Sequence, residues 1–154
     1  WAVSNGITSG TSSTTFSPHQ TCTVAQILSF LYRANGSPRV TGSNPFTDVH
    51  TSDYYYEAAL WAYQKGMVSG SALRPFAPCT RASTMEFMWK AAGSPAVSGS
   101  RRFDDVSVNA SYARAVAWAT EQKITSGTSS TTFSPNNICT RGQIVSFLYR
   151  AMGW

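Results

Sequence analysis

Ile7-Thr8-Ser9-Gly10-Thr11-Ser12-Ser13-Thr14-Thr15-Phe16-Ser17-Pro18 returns letter for letter as Ile124 to Pro135, a shift of 117 residues. Identity over so long a stretch marks an internal repeat, and a repeat governs the fold before any single residue does. The match extends outward: Trp1-Ala2 aligns with Trp118-Ala119, and Ser29 to Ala34 with Ser146 to Ala151. A more diverged copy lies between them, in which Trp61-Ala62, Ser69-Gly70, Phe76, Pro78, Cys79-Thr80 and Gly93 keep the same order. It reads as lacking three residues between Pro78 and Cys79, where the other copies carry His19-Gln20-Thr21 and Asn136-Asn137-Ile138. The leading half of the unit occurs twice. Phe46-Thr47-Asp48-Val49 matches Phe103-Asp104-Asp105-Val106, followed by Tyr55 with Tyr112, Ala58 with Ala115 and Trp61 with Trp118. The expected organisation is one domain over 1–154, with a partial repeat at 1–38 and complete repeats at 46–95 and 103–154. The partial copy reads as missing an upstream stretch or as a processed end.

Each unit reads as helix, loop, helix. Alanines at Ala58, Ala59 and Ala62, and Ala115, Val116 and Ala119, recur at helical spacing and predict first helices over about Ser52 to Lys65 and Ala110 to Lys123. Gly66, with Gly6 at the matching place, suits the residue past a helix end. The loop Ser-Gly-x5-Phe-x-Pro is rich in turn formers. Second helices are predicted to start behind Thr23, Thr80 and Thr140, where Thr23 with Gln26 and Thr140 with Gln143 form capping boxes. Gly36, Gly93 and Gly153 would stop them, and Asn35–Asn44 and Gly93–Arg101 would link the copies. One helical pair cannot bury both its apolar faces, so the copies must pack together. Periodicity leaves open whether they form a solenoid or a closed pseudo-threefold body.

Composition narrows the function. Hydrophobic residues make up 42% of the 154 residues, which supports a packed core and excludes wholesale disorder. No apolar run approaches the roughly 18 residues of a membrane span, and no signal-peptide pattern opens the sequence. Net charge is +5, yet only 12% of residues are charged, so the surface is rich in hydroxyls. Arg101-Arg102 is the only adjacent basic pair and no basic stripe lines a helix, so nucleic acid is not an expected partner. With only His19 and His50, and no nucleophile beside a base motif, neither a metal site, a cofactor nor catalysis is expected.

The ordered elements Phe-x-Asp-Val, Tyr-Tyr-x-x-Ala, Trp-Ala, Ser-Gly-x5-Phe-x-Pro and Cys-Thr-Arg-Ala/Gly resemble the S-layer homology (SLH) repeat across nearly the whole chain. The resemblance implies an all-α fold, three helix-loop-helix SLH repeats in a pseudo-threefold bundle with inter-repeat grooves. It implies noncovalent anchoring to secondary cell-wall polysaccharide, often carrying pyruvylated sugars, at the surface of a bacterium, of Gram-positive type by expectation. It also implies that the motif arginine faces the acidic sugar. That arginine is Arg81 in the second copy and Arg141 in the third; the first copy has Val24, which lacks the charge.

The chemistry of these helix starts allows the same role for Arg81 and Arg141, the alternative being a solvated arginine that tops a helix and binds nothing. An arginine at a helix start is expected to point outward beside free backbone amides, where the helix end favours an anion and the guanidinium can hold a carboxylate bidentately. An arginine sealed inside the protein or neutralised by a neighbouring acid, or repeats strung out with no cleft between them, would count against two guanidinium groups gripping anionic glycan. Ser9-Gly10, Ser69-Gly70 and Ser126-Gly127 offer hydroxyls and bare backbone near the same helix starts, or else form tight turns. Tyr55 and Tyr112 are expected to stack on sugar, with inter-repeat packing the alternative. Trp1, Trp61 and Trp118 read as core, and Asp48 and Asp105 as groups that cap or orient the first helix. Cys22, Cys79 and Cys139 occupy equivalent positions and read as small buried hydrophobes. A disulfide or a three-thiolate metal site would need them to converge on the pseudo-axis. A second functional class, an interaction module binding host glycan or protein or self-associating through the incomplete first copy, is suggested by Val24 and the truncated start.

Overall fold

The computed structural model describes residues 1–99 and 103–152. Its elements are α1 (Val24–Ala34), α2 (Tyr56–Gln64), α3 (Arg81–Ala91), α4 (Ala113–Glu121) and α5 (Arg141–Ala151), with no strand among the described residues. The fold is all-α, as expected. Gly153 and the Arg101-Arg102 pair lie outside the described residues.

α1, α3 and α5 begin where the threonines predict. Thr23 Oγ1 accepts from Gln26 N at 3.3 Å while Gln26 Oε1 accepts from Thr23 N at 3.0 Å, and Thr140 and Gln143 repeat the reciprocal pair. Thr80 Oγ1 accepts from Ser83 N at 3.1 Å and donates to Ser83 Oγ at 3.0 Å, but the short serine does not reach back to the Thr80 amide. α2 and α4 are shorter than predicted. The residues before them are wound into i→i+3 turns, Tyr56 N on Asp53 O and Ala113 N on Ala110 O, and the N-cap positions Tyr55 and Tyr112 offer no side-chain cap.

The repeats close into a ring. Cys22 N donates to Cys139 O, Cys139 N to Cys79 O and Cys79 N to Cys22 O, each at 2.9 Å. Flanking bridges Thr21 with Thr140, Thr23 with Pro78 and Thr80 with Ile138 follow the same cyclic order. A solenoid cannot return its last repeat to its first, so these bonds decide for the pseudo-threefold body. The same ring uses the helix starts. Val24 N and Ala25 N donate to Ala77 O and Pro75 O; Arg81 N and Ala82 N donate to Asn137 O and Pro135 O; Arg141 N and Gly142 N donate to Gln20 O and Pro18 O. The first amides of α1, α3 and α5, expected to be free, are therefore satisfied by the loop of the neighbouring repeat.

These bonds also correct the reading of the middle copy. Pro75, not Pro78, stands with Pro18 and Pro135, and Arg74 shares the left-handed φ of Ser17 and Ser134. Buried Leu73 occupies the place of Phe133, whereas Phe76 is exposed. The three missing residues thus fall between Gly70 and Leu73, within the hydroxyl-rich turn. Counting from the prolines misplaced them because the middle copy has two prolines to choose from.

α2 packs on α1 and α4 on α3, with Ala59, Ala62, Ala115 and Ala119 fully buried between them. Small side chains there let the helix backbones approach. Trp61 and Trp118 are buried and Trp1 half-buried, in keeping with a core role. Asp48 and Asp105 clamp the loop rather than cap a helix. Asp48 accepts from Leu73 N and Arg74 N at 2.8 Å each, and Asp105 from Phe133 N at 2.8 Å and Ser134 N at 2.7 Å. The three cysteines converge on the axis, yet all are free thiols, fully buried. No group of three or more metal-ligating side chains occurs among the described residues.

Candidate functional site

Arg81 and Arg141 begin α3 and α5, and both are buried, at 4% and 3% exposure. The expectation that they point outward is corrected by the structure. Each side chain turns under the neighbouring repeat's loop, because an aromatic sandwich awaits it there. The Arg81 guanidinium lies 4.8 Å from the Phe133 ring centroid and 5.5 Å from that of Phe147, and Nε donates to Phe133 O at 2.8 Å. Arg141 sits 5.0 Å and 5.4 Å from Phe16 and Phe30, with Nε donating to Phe16 O at 3.0 Å. Two faces of π density and one carbonyl replace part of the hydration each cation loses.

The two arginines differ in what remains. Arg141 Nη2 donates to buried Thr8 Oγ1 at 3.1 Å. Arg81 Nη2 is buried and has no partner among the described residues. Burial lowers the Arg81 pKa, opposed by Cys139 and Asp105, although a guanidinium stays charged at any physiological pH. An orphan charged donor of this kind costs stability unless something accepts from it.

Arg81 lines a groove of about 540 Å³ between repeats, together with Ser126, Gly127, Thr125, His19 and Arg150. Of the residues predicted to bind, the fold thus brings Arg81, Ser126 and Gly127 together. Ser9 and Gly10 lie in the first repeat's loop, whose Thr8 engages Arg141, and Ser69 and Gly70 lie in the middle repeat's loop, on which Val24 docks. Tyr55 is 3% exposed, its ring edge-on to Tyr54 at 5.0 Å and Phe76 at 6.0 Å. Burial, then a hydrogen bond to Asp53, pushes its pKa to about 12. It cannot offer its ring to a ligand, so that expectation is corrected. The exposed member of the tyrosine run is Tyr54, which lines a second groove of about 410 Å³ with Ser29, Arg33, Asp53 and Glu57. Tyr112 is half-buried ahead of α4.

Sequence reasoning missed the partners of the arginines: Thr8, Phe16, Phe30, Phe133 and Phe147. A signal was present. Around the ring, Arg141 meets Thr8 and Phe16, and Arg81 faces the loop of Thr125 and Phe133. Val24 faces the loop of Val68 and Leu73. Arginine, threonine and phenylalanine are replaced together by valine, valine and leucine. The linkage becomes visible once each copy is paired with its neighbour's loop.

The S-layer homology domain model matches residues 1–27, 45–84 and 102–145. The chain belongs to the S-layer homology domain family. Members of the family are non-catalytic modules that hold proteins at the cell surface or wall. Two curated relatives align over 96% of the chain. They are an Exoglucanase XynX of Acetivibrio thermocellus, 26% identical, and an Amylopullulanase of Thermoanaerobacterium thermosulfurigenes, 27% identical. The chain spans only 14% and 8% of those proteins, so their names describe activities of much longer chains. Among the described residues no helix of this SLH domain is long and apolar enough to cross a membrane.

Proposed function

We propose that this SLH domain anchors its polypeptide noncovalently to anionic secondary cell-wall polysaccharide, with the Arg81 groove taking a carboxylate-bearing, pyruvylated sugar. The single observation that carries the reading is a groove of about 540 Å³ between repeats that two cations line, Arg81 at its buried floor and Arg150 at its wall. A carboxylate in the groove would feel the charge of the buried Arg81 from above, while Ser126, Gly127 and Arg150 line the groove to bond it and the sugar hydroxyls. Arg141, whose Nη2 already holds Thr8, serves mainly to pin the third repeat to the first. Val24 offers an acidic sugar no cation, and the middle repeat carries Glu86 where the others have Ser29 and Ser146. The repeats at 1–38, 46–95 and 103–154 act as one domain, and the wall is of Gram-positive type.

Purified wall sacculi, before and after hydrofluoric-acid removal of the polysaccharide, test the reading. Retention should vanish on stripped wall. Arg81→Lys keeps a buried cation but loses the planar fork and the Nε bond to Phe133 O, and should weaken retention about tenfold or more at a temperature where circular dichroism shows the variant folded. Equal retention of Arg81→Lys and the parent, or binding that survives stripping, would overturn it.

A further inference from the structure

The two most exposed aromatic rings among the described residues are Phe76, at 73%, and Tyr54, at 61%. They lie on separate loops of the middle repeat, yet they meet at one place. Tyr55 joins them, edge-on to Tyr54 at 5.0 Å and to Phe76 at 6.0 Å. Single exposed apolar side chains are ordinary, whereas rings that converge mark a contact surface. The ring of repeats sets where that surface lies. Pro75 and Ala77, on either side of Phe76, accept from Ala25 N and Val24 N at the start of α1. Tyr54 reaches the same helix further along, lining the groove of about 410 Å³ with Ser29 and Arg33. Burial raises the Tyr54 pKa, and Arg33 and Arg141 oppose it, which puts both cations near the phenol. Neither ring belongs to the repeat pattern. The other copies carry His19 and Asn136 at the Phe76 place, and the third repeat has Ser111 at the Tyr54 place and Arg114 at the Glu57 place.

Charge and wall chemistry say what fits there. Arg141 spends Nε on Phe16 O and Nη2 on Thr8, and Arg33 gives Nη1 to Ile7 O. Asp53 and Glu57 line the groove against them, so an acidic sugar would meet two carboxylates. Among the lining residues no aliphatic side chain is larger than Ala58, so the groove holds no apolar pocket for the side chains of a protein partner. It offers hydrogen bonds instead. Glu57 gives one oxygen to the Tyr32 hydroxyl and has a second with which to accept, and Arg33 has further donors. Flat rings beside such groups suit a sugar, whose C–H face stacks while its hydroxyls bond. We propose that Tyr54 and Phe76 form a stacking platform for uncharged glycan, two consecutive sugar residues without carboxylate or amine, with Glu57 and Arg33 bonding the hydroxyls of the one on Tyr54. The platform goes beyond the acidic-sugar reading and uses none of the groups that line the Arg81 groove.

Saturation-transfer NMR titrations with cellobiose and N,N′-diacetylchitobiose, both uncharged disaccharides, test the platform. At least one should bind saturably, with transfer from tyrosine and phenylalanine ring protons. Tyr54→Ser and Phe76→Asn change exposed positions to the residues of the third repeat, and each should weaken binding about fivefold. The double variant should abolish binding while its circular dichroism matches that of the parent. Digalacturonic acid, an acidic disaccharide, should not displace the bound probe at equal concentration. Binding of neither probe, equal binding by the double variant, or displacement by digalacturonic acid would overturn the proposal. So would a dimer in light scattering that the double variant dissolves, since a second copy would then cover the rings. Because the readout is a free uncharged disaccharide rather than wall retention, failure of the platform and failure of the acidic-sugar reading are told apart.

Discussion

Single residues carry strain and charge that the neighbours must justify. Lys123 stands at the helix-end position that Gly6 and Gly66 hold elsewhere, with φ 58° against 68° and 66°. A side chain in left-handed backbone costs about 1 kcal/mol relative to glycine. Lys123→Gly should therefore raise unfolding free energy by about 1 kcal/mol in thermal melts, and no gain would mean that Lys123 makes a compensating contact. Asp105 carries a different kind of debt. Burial opposes its ionisation, but the Phe133 and Ser134 amides outweigh that and hold its pKa below the ordinary 3.8. A carboxylate depressed on folding stabilises fully above its unfolded value and loses that contribution as pH falls through its folded value. Stability should thus be flat from pH 7 to 5 as far as Asp105 is concerned, then fall below pH 4. Asp105→Asn should flatten that acid limb in urea titrations.

At the scale of elements, the second helices were legible and the first helices less so. Thr23, Thr80 and Thr140 announce their starts because a side-chain cap is a local bond between residues three apart. α2 and α4 carry no such cap, so alanine spacing ran past their true ends into turns. The loops were legible in type but not in detail. Gly10 and Gly127 have φ 86° and 91°, and a Cβ at either would lie 2.5 Å from the carbonyl oxygen of Thr15 or Thr132; at Gly70, with φ 87°, nothing is within 4 Å. The difference follows from the shortened middle loop. Gly127→Ala should consequently cost more than Gly70→Ala, by about 1 kcal/mol or more for the added clash, in chemical denaturation. Equal losses would show that the loop tip shifts freely.

For the whole molecule, the ring of backbone bonds places three thiols at the centre. Burial is the main force raising the Cys22 pKa to about 11 and that of Cys79 to about 12, and it raises Cys139 as well. Thiolate is the reactive form, so the native protein should resist an aromatic disulfide reagent at pH 8 and release three thiols only when denatured. Rapid native labelling would mean that the ring opens.

The sequence by itself determined the number of repeats, the helical class, the caps and the family, since these rest on local spacing and on matches between copies. It also pointed to Arg81 and Arg141. Only the tertiary structure decided that the repeats close on themselves and that the arginines lie under a neighbour's loop. It alone decided that Tyr55 is buried while Tyr54 is exposed. Each of these depends on which copy's surface meets which. Near-identical helices such as α1 and α5 differ only in what packs on them, and a periodic pattern carries no record of that.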